Sequence, residues 1–316
     1  MTSPQPHSWD TVVIGGGAAG LSAALMLGRA RRRVLVVDGG LPRNRFAAHM
    51  HGVLGHDGAA PSELIARGRA ELARYGVEVR AGTVDAVADA ARGLRISLAD
   101  GEALDTRTAV VATGIADELP EIPGLAERWG KTVLHCPYCH GWEVRGRRLG
   151  VLAIGPQSVH QAQLVRQWSE HVVLLSAGLG VLDRTAEARL RSRGVEVVAT
   201  PLVEVVGDGD LVTGVRTADG DLVAVDAIFT GGAPRPHDGF LAALSLARAE
   251  LPMGLGSFLA VDAAGRTSHP RVWAAGNVVS PMANVPASMG AGSLTGGAVN
   301  GALVEEDFDL AADDAS

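Results

Sequence analysis

A glycine-rich turn close to the N-terminus restricts the fold more than any other feature of this sequence. Residues 11–20 read TVVIGGGAAG: a short β-branched run, then Gly15-x-Gly17-x-x-Gly20, which opens the apolar helix pattern LSAALMLGRA. A second strand-like run, RVLVVD, ends on Asp38. Strand, glycine turn, helix and a second strand ending on an acidic residue are the elements of the dinucleotide-binding unit in doubly wound α/β folds.

Each of these residues has a physical task in such a unit. Gly15 permits the tight turn, and Gly17 lets the backbone approach a pyrophosphate. Gly20 lets the helix pack close to the strand, so that the helix N-terminus faces the phosphates. Asp38 is placed to accept hydrogen bonds from a ribose. The sequence therefore predicts that an adenine dinucleotide binds here.

A second unit of the same design has lost its glycine pattern. LGVLAIGPQSVHQAQLVRQW and HVVLLSAGLG repeat the order of strand, turn, helix and strand. Gly155 remains, but Gln157 and His160 stand at the next two glycine positions, and Pro156 removes a backbone N–H. Residues 176–178 offer neither an acid for a ribose nor an arginine for a 2′-phosphate. This predicts a duplicated architecture whose second copy no longer binds a nucleotide.

Two similar segments mark where the chain crosses between domains. TAVVATG at 108–114 and VDAIFTGGAPRP at 225–236 are strands that end in small residues and are followed by prolines. We predict an α/β protein of two Rossmann-like (doubly wound) nucleotide-binding domains, the second inserted into the first. The discontinuous first domain comprises 1–116 and 237–316, and the inserted domain comprises 117–236. The acidic tail LAADDAS is expected to fray.

The segment HCPYCHGWE contains the two cysteines of the chain, Cys136 and Cys139, and His140 follows directly. This pattern is found in c-type haem attachment sites, in half of a zinc site and in redox-active disulfides. No second cysteine pair is present to complete a zinc site. We interpret the segment as a redox pair and predict no metal. His140 is the candidate general base, and His135 is the alternative.

Composition bears on partners and location. The net charge of −7 comes without a basic run, so a nucleic-acid partner is not expected. No apolar run reaches the ~18–20 residues of a membrane helix, and no secretory signal pattern opens the sequence. A cytoplasmic location is expected, where a dithiol pair is more often catalytic, redox-sensing or metal-binding than structural.

Two further patterns allow two interpretations each. A helix is predicted to begin near Pro286, and its Gly290 and Gly292 either admit a flat ligand or serve packing alone. The stretch HMHGVLGHDG at 49–58 clusters three histidines, which suggests either a metal site or a loop over the cofactor with His51 near it. The aromatic residues that flank the redox pair either shape a substrate pocket or pack; these are Tyr138 and Trp142.

Taken together, these motifs resemble the low-molecular-weight thioredoxin reductase family of flavoproteins. The resemblance is carried by GGGAAG at 15–20, ATG at 112–114, the C-x-x-C pair and AAGN near Gly276, and it covers essentially the whole chain. It implies FAD along the first domain, a redox disulfide from the second, and a homodimer. The residues implied in FAD binding are Gly15, Gly17, Ala18, Ala19, Gly20, Asp38, Gly39, Asn44, Val84, Thr113, Gly114, Gly276, Asn277 and Val285.

Several of these positions take their roles from the resemblance alone. The backbone of Val84 would meet the adenine, Asn44 would lie near the isoalloxazine, and Val285 would meet the pyrimidine edge of the flavin. Gly276 and Asn277 would approach the ribityl chain. The family usually has Asp where Asn277 stands, so a charge is lost beside the flavin.

Two other departures direct the functional prediction. His140 stands where the family commonly has Asp, and the glycine-rich NADPH turn and its arginine cluster are missing. This combination is similar to the dithiol oxidases that close disulfides in natural products such as gliotoxin and holomycin. The resemblance implies a small-molecule dithiol substrate and O2 as acceptor, with H2O2 as product. Cys136 would exchange with the substrate and Cys139 would face the flavin.

Two alternatives stay open. The first is a thioredoxin-disulfide reductase that takes electrons from NADPH, ferredoxin or another donor. The second is a flavin-bound redox sensor that signals by conformation. Restored glycines in the turn after Gly155 would favour the reductase, and the sequence does not have them.

Overall fold

The computed structural model describes residues 8–314. The strands are, in chain order, β1 (Ser8–Ile14), β2 (Val34–Asp38), β3 (Glu78–Ala81), β4 (Val84–Ala90), β5 (Gly93–Leu98), β6 (Ala103–Val111), β7 (Ile115–Glu118), β8 (Val133–Leu134), β9 (Leu149–Leu152), β10 (Val172–Leu175), β11 (Glu196–Val198), β12 (Leu202–Asp208), β13 (Leu211–Thr217), β14 (Leu222–Ala224), β15 (Ala227–Phe229), β16 (Ala233–Pro236), β17 (Arg248–Leu251), β18 (Gly256–Leu259) and β19 (Val272–Ala274). The α-helices are α1 (Ala18–Arg29), α2 (Pro61–Ala73), α3 (Pro137–His140), α4 (Gln157–Val165), α5 (Arg184–Arg191) and α6 (Val285–Asp314).

The larger sheet has seven strands, in the order β3-β2-β1-β6-β5-β4, and β19 pairs with β6 beside this path. Strands β1, β2, β3, β6 and β19 run parallel, whereas β4, β5 and β6 pair antiparallel. The parallel strands are apolar on both faces because helices cover one side and loops and hairpins the other. Their carboxyl ends form one edge, where the first glycine turn lies.

The second sheet has five parallel strands in the order β11-β10-β9-β15-β8. Helix α4 follows β9 and leads to β10, as the sequence predicts for the second unit. An antiparallel sheet of β12, β13 and β14 packs beside it. Two sheets, one mixed and one parallel, each contain a strand–turn–helix–strand unit of parallel strands, and this confirms the predicted α/β fold class.

A two-stranded ribbon carries the chain between the two sheets. Strands β7 and β16 pair antiparallel, with Ala116 opposite Arg235 and Ile115 opposite Pro236. The two segments that the sequence marks as crossings lead directly into these strands. The domain boundary predicted at 116/117 falls inside β7, and the one predicted at 236/237 falls at the end of β16.

Helix α6 is 30 residues long and packs along α1. A Cβ at Gly292 would collide with the carbonyl oxygen of Ala19, and one at Gly296 would lie 2.5 Å from the carbonyl oxygen of Ala23. For Gly292, packing is therefore the correct interpretation and ligand contact is not. The acidic tail, expected to fray, is helical as far as Asp314. Among residues 8–314 we find no helix long and apolar enough to cross a membrane.

Candidate active site

The first glycine turn has the geometry that the sequence predicts. Gly15 has φ +105°, and a Cβ there would collide with the carbonyl oxygen of Ala112. A Cβ at Gly20 would collide with the carbonyl oxygen of Gly15, so the first turn of α1 presses directly on the end of β1. At Gly17, in contrast, no atom lies within 4 Å of a Cβ position. The turn is closed towards the protein and open where a ligand would lie.

The N-terminus of α1 faces this open side. Gly17 is the N-cap, and the first intrahelical bond runs from the N–H of Leu21 to its carbonyl. No side chain among residues 8–314 caps the helix. The N–H groups of Ala18 and Ala19 are therefore available to an anion, which the positive end of the helix also stabilises. This cradle fits the pyrophosphate of a dinucleotide.

Asp38 ends β2 beside the same turn. Its Oδ1 accepts hydrogen bonds from the N–H of Gly16 at 3.0 Å and of Gly40 at 3.2 Å. Its Oδ2 pairs with Arg69 on α2. The carboxylate is thus fixed at the position predicted for a ribose acceptor, with Arg69 holding its outer oxygen. Arg69 comes 31 residues after Asp38, so no local sequence pattern predicts that these two side chains pair.

The other residues predicted around FAD come from several elements. Gly39 follows β2, Val84 begins β4, and Val285 begins α6. Asn44 lies in a short 3-10 helix at 43–46. Gly114, with φ +69°, leaves open space at its Cβ position.

Three of these residues have internal contacts that the sequence does not reveal. The hydroxyl of Thr113 donates to the carbonyl oxygen of His237 at 2.6 Å. The side-chain amide of Asn277 donates to the carbonyl oxygens of Ser280, Pro281 and Ala283, at 3.0, 3.2 and 2.8 Å. A Cβ at Gly276 would lie 2.8 Å from the Cβ of Ala19, so this glycine is required for packing against α1.

The redox pair lies on one turn of helix, as its spacing predicts. Cys136 is the N-cap of α3, and Pro137 occupies the first helical position, where its missing N–H costs nothing. Cys136 and Cys139 form a disulfide, with their Cα atoms 5.2 Å apart. Strand β8, at the edge of the second sheet, leads into this turn.

The two histidines of this segment are not equivalent. Both ring nitrogens of His140 are buried, and neither has a hydrogen-bond partner in the part of the chain that the structure describes. Burial lowers the pKa of His140 below its usual value, Glu143 opposes this, and His51 adds to it. Burial therefore favours the neutral imidazole, which is the form that accepts a proton.

His135 is held more firmly. Gln161 donates its amide to the His135 carbonyl oxygen at 3.0 Å. Burial and the charge of Arg43 lower the pKa of His135, and Asp117 opposes them. Its Nδ1 has no partner among the described residues, and His135 stays the alternative base.

A loop of the first domain reaches the redox turn. His51 Nε2 lies 3.5 Å from Glu143 Oε1, and His51 Nδ1 lies 3.5 Å from Asp57 Oδ1. Arg43 forms a bidentate pair with Asp117 at 2.7 and 2.6 Å. The segment at 49–58 is thus a loop that reaches the redox turn, and its position over the cofactor stays a prediction. Within residues 8–314 no three His, Cys, Asp or Glu side chains are grouped as a metal would require.

In the second unit, the side chain of Gln157 lies in the glycine turn. A Cβ at Gly155 would lie 2.7 Å from Oε1 of Gln157, the first residue of α4. That oxygen is buried, and no hydrogen-bond partner for it exists among residues 8–314. The side-chain amide of Gln157 therefore folds back on the turn, whereas the first unit has the open position of Gly17 at the corresponding place.

The aromatic residues that flank the redox pair are open to solvent. Tyr138 is 72% and Trp142 is 65% exposed. Tyr138 stands edge-on to Trp168, with ring centroids 5.5 Å apart, and the guanidinium of Arg145 lies 4.0 Å above the Trp142 ring. Both rings therefore have internal contacts and also leave surface beside the disulfide exposed.

An open dinucleotide cradle and a helical C-x-x-C disulfide on a second Rossmann sheet define the class of flavin-dependent disulfide oxidoreductases. The chain belongs to the pyridine nucleotide-disulphide oxidoreductase family, which matches residues 9–292. It is 32% identical over 300 residues to thioredoxin reductase tcpT of Claviceps purpurea, which covers 91% of this chain and 92% of tcpT.

Two solved structures are similar over nearly the whole chain. The sequence of HlmI, in its crystal structure, is 46% identical to that of this chain, and the two structures match with a TM-score of 0.92. The match covers 100% of this chain and 98% of HlmI. An oxidoreductase from Agrobacterium tumefaciens is 37% identical, with a TM-score of 0.88 and coverage of 94% and 99%. The resemblance to thioredoxin reductase-like flavoproteins is confirmed, and the cofactor of this protein is FAD.

Proposed function

We propose that this protein is a FAD-dependent dithiol oxidase that forms an intramolecular disulfide in a small-molecule dithiol. Electrons pass through Cys136 and Cys139 to FAD and then to O2, giving H2O2. One observation carries the proposal: the side chain of Gln157 packs against Gly155 in the second nucleotide turn, where the first unit has an open glycine, while Tyr138 and Trp142 beside the redox pair are exposed. We therefore propose that the electrons enter from the dithiol side.

The residues that would hold FAD follow from the cradle described above. Gly15, Gly17 and the N–H groups at the start of α1 would bind the pyrophosphate, and Asp38 would accept from the ribose. The carboxyl ends of β1, β6 and β19 would support the flavin. When bound, FAD supplies a two-electron acceptor that O2 can reoxidise.

The chain's own side chains perform the exchange. A substrate thiol gives its proton to neutral His140, and the resulting thiolate attacks the Cys136 sulfur. The Cys136–Cys139 bond breaks, and Cys139 leaves as a thiolate. The second substrate thiol then attacks the substrate sulfur bound to Cys136. The substrate disulfide closes, and Cys136 leaves and takes up the proton of that second thiol. Two electrons have moved to the cysteine pair, and two protons have left the substrate.

The exposed faces of Tyr138 and Trp142 support a small substrate. An aromatic surface of this kind binds flat, weakly polar molecules through stacking and apolar contact. Among the charged groups, Glu143 and Arg145 lie near it with opposite signs. This favours a neutral dithiol over a charged one.

The first experiment separates the oxidase from a reductase. The purified protein is mixed without oxygen with NADPH in one cell and with dithiothreitol in another, and flavin absorbance is followed. We expect bleaching by the dithiol only, recovery of colour in air, and H2O2 in an amount equal to the dithiol oxidised. A Cys139→Ser variant should retain its FAD and stay yellow with dithiol.

The alternative function is supported by the name of a relative, thioredoxin reductase tcpT. Rapid bleaching by NADPH would overturn the oxidase proposal and show that a nucleotide binds in spite of Gln157. Bleaching by reduced ferredoxin, with none by dithiol, would identify a reductase with another donor. A flavin that responds to none of these would favour the sensor.

We further propose that the protein is a cytoplasmic homodimer. Exposed apolar side chains on the outer face of α6 support the dimer, with Leu294 at 58% and Phe308 at 74% exposure. Sedimentation equilibrium tests the dimer, and cell fractionation tests the location.

A further inference from the structure

One side-chain amide holds the connection between β19 and α6. The Nδ2 of Asn277 donates to three carbonyl oxygens, at 3.0, 3.2 and 2.8 Å; these belong to Ser280, Pro281 and Ala283. A primary amide nitrogen carries two hydrogens, so the three oxygens share two N–H groups. Residues 279–284 are named the entry loop here, because α6 begins directly after them.

The main-chain bonds of the entry loop are local. The N–H groups of Val279 and Ser280 donate to the carbonyl oxygen of Gly276, at 3.1 and 2.9 Å. The N–H of Ala283 donates to the carbonyl oxygen of Ser280 at 3.0 Å. None of these bonds joins the start of the connection to its end. The Asn277 amide spans that gap, since Ala283 comes six residues after it.

A second asparagine of the entry loop uses the other end of its amide. Asn284 directly precedes α6, and its Oδ1 accepts a hydrogen bond from the N–H of Ala287 at 3.0 Å, which caps the helix. Asparagine and aspartate serve equally well at such a position, because only an acceptor is used. Asn277 instead faces three acceptors, and a carboxylate has no hydrogen to donate to them. The two positions therefore separate the donors of an amide from its acceptor.

The entry loop is also joined to the strand that leads to the inserted domain. The carbonyl oxygen of Pro281 accepts a second hydrogen bond, from Nη1 of Arg43 at 2.8 Å. The same guanidinium donates to Asp117 on β7, at 2.7 and 2.6 Å. A carbonyl oxygen has two lone pairs, and Asn277 and Arg43 use both of them at Pro281. The loop is thus held from two sides.

We propose that Asn277 is a positioning residue for FAD, because the donors of its amide fix the entry loop and with it the first turn of α6. That turn begins at Val285, the residue predicted to meet the flavin. The acceptor of the amide, Oδ1, is left for the ribityl chain. The usual aspartate of the family cannot perform this task, since three carbonyl oxygens at 2.8–3.2 Å would repel a carboxylate. The charge lost beside the flavin is thus the consequence of a requirement for donors.

Three variants separate the donors from the charge and from the acceptor. Asn277→Asp removes the donors and adds a charge, and Asn277→Leu removes the donors without adding one. Asn284→Asp adds the same charge to the same loop but keeps the acceptor that caps α6. Serial dilution of the yellow holoenzyme, followed by the fluorescence of released FAD, measures the affinity. We expect the dissociation constant to rise about tenfold to a hundredfold in both Asn277 variants, and less than about threefold in Asn284→Asp.

Amide hydrogen exchange of the holoenzyme, saturated with FAD, reads the loop directly. The N–H groups of Ser280 and Ala283 should exchange at least about tenfold faster in both Asn277 variants than in wild type, because local opening of the loop exposes them. Asn284→Asp should exchange as wild type does. Should Asn277→Asp fail to fold, Asn277→Leu alone still decides, because loss of a ribityl contact would leave the exchange of the loop unchanged.

Each other pattern of results overturns the positioning role. If Asn277→Asp binds FAD as wild type does while Asn277→Leu does not, the acceptor is the part of the amide that matters. If both aspartate variants lose FAD and Asn277→Leu keeps it, the added charge is the cause. Unchanged exchange of the entry loop in Asn277→Leu shows that the donors do not hold it. FAD is bound whichever way the electrons flow, so failure of the dithiol oxidase function leaves these outcomes unchanged.

Discussion

Replacing Gly292 by alanine tests whether close packing of α6 on α1 holds the FAD turn in place. Gly292 is buried in α6, opposite the first turn of α1. An added Cβ would lie 2.8 Å from the carbonyl carbon and 2.9 Å from the Cα of Ala19. Both are backbone atoms, so no side-chain rotation can relieve the contact.

The magnitude follows from two opposing effects. Glycine in a helix interior is about 1 kcal/mol less favourable than alanine, so the substitution gains about that much in helix propensity. Forcing a methyl group into a packed contact costs typically about 1–3 kcal/mol. The matched control is Gly297→Ala, five residues further along the same helix, where no atom lies within 4 Å of the Cβ position. The difference between the two variants isolates the packing cost.

We expect Gly297→Ala to be as stable as wild type or more stable, and Gly292→Ala to be less stable than Gly297→Ala by about 1–3 kcal/mol. Urea denaturation with FAD bound measures this difference. Because Ala19 belongs to the pyrophosphate cradle, Gly292→Ala should also release FAD more readily, which flavin fluorescence after dilution detects. If Gly292→Ala is as stable as the control and holds FAD equally well, the reasoning about α1 and α6 is refuted.

Three further predictions concern charge and catalysis. Burial alone would raise the pKa of Glu306, but hydrogen bonds from Arg271 and Arg107 lower it. The contribution of Glu306 to the free energy of unfolding is therefore present at neutral pH and is lost as pH falls below the usual carboxyl range. Glu306→Gln should therefore lower the free energy of unfolding by about 1–2 kcal/mol at neutral pH and by less in acid, as measured by urea denaturation at both pH values. Arg43→Met leaves the buried Asp117 unpaired and should cost about 3–5 kcal/mol in the same assay, and the added change Asp117→Leu should recover part of it. His140→Asn should slow reduction of the flavin by dithiol about 10²-fold to 10⁴-fold, while FAD stays bound; a smaller loss would direct attention to the other histidine of the turn.

Local sequence patterns determined the parts of this protein that depend on a few neighbouring residues. Gly15 has a positive φ, which glycine adopts without strain, and the spacing of Cys136 and Cys139 alone places their sulfurs on one helical turn. The two Rossmann units could be predicted because alternating strands and helices leave a periodic apolar pattern. The loss of the second nucleotide turn was also readable, since glycines are replaced by Pro156 and Gln157.

The tertiary structure decided the contacts between residues that are far apart in sequence. Arg43 pairs with Asp117 on β7, and His51 lies beside Glu143 near the redox turn, and no periodicity links their positions. The structure also decided that Gly292 packs on α1, because small residues in a helix look the same in sequence whether a ligand or another helix approaches them. Sequence fixes backbone geometry over a few residues through sterics, whereas the partner of a side chain depends on how whole elements dock and which rotamers that docking leaves open.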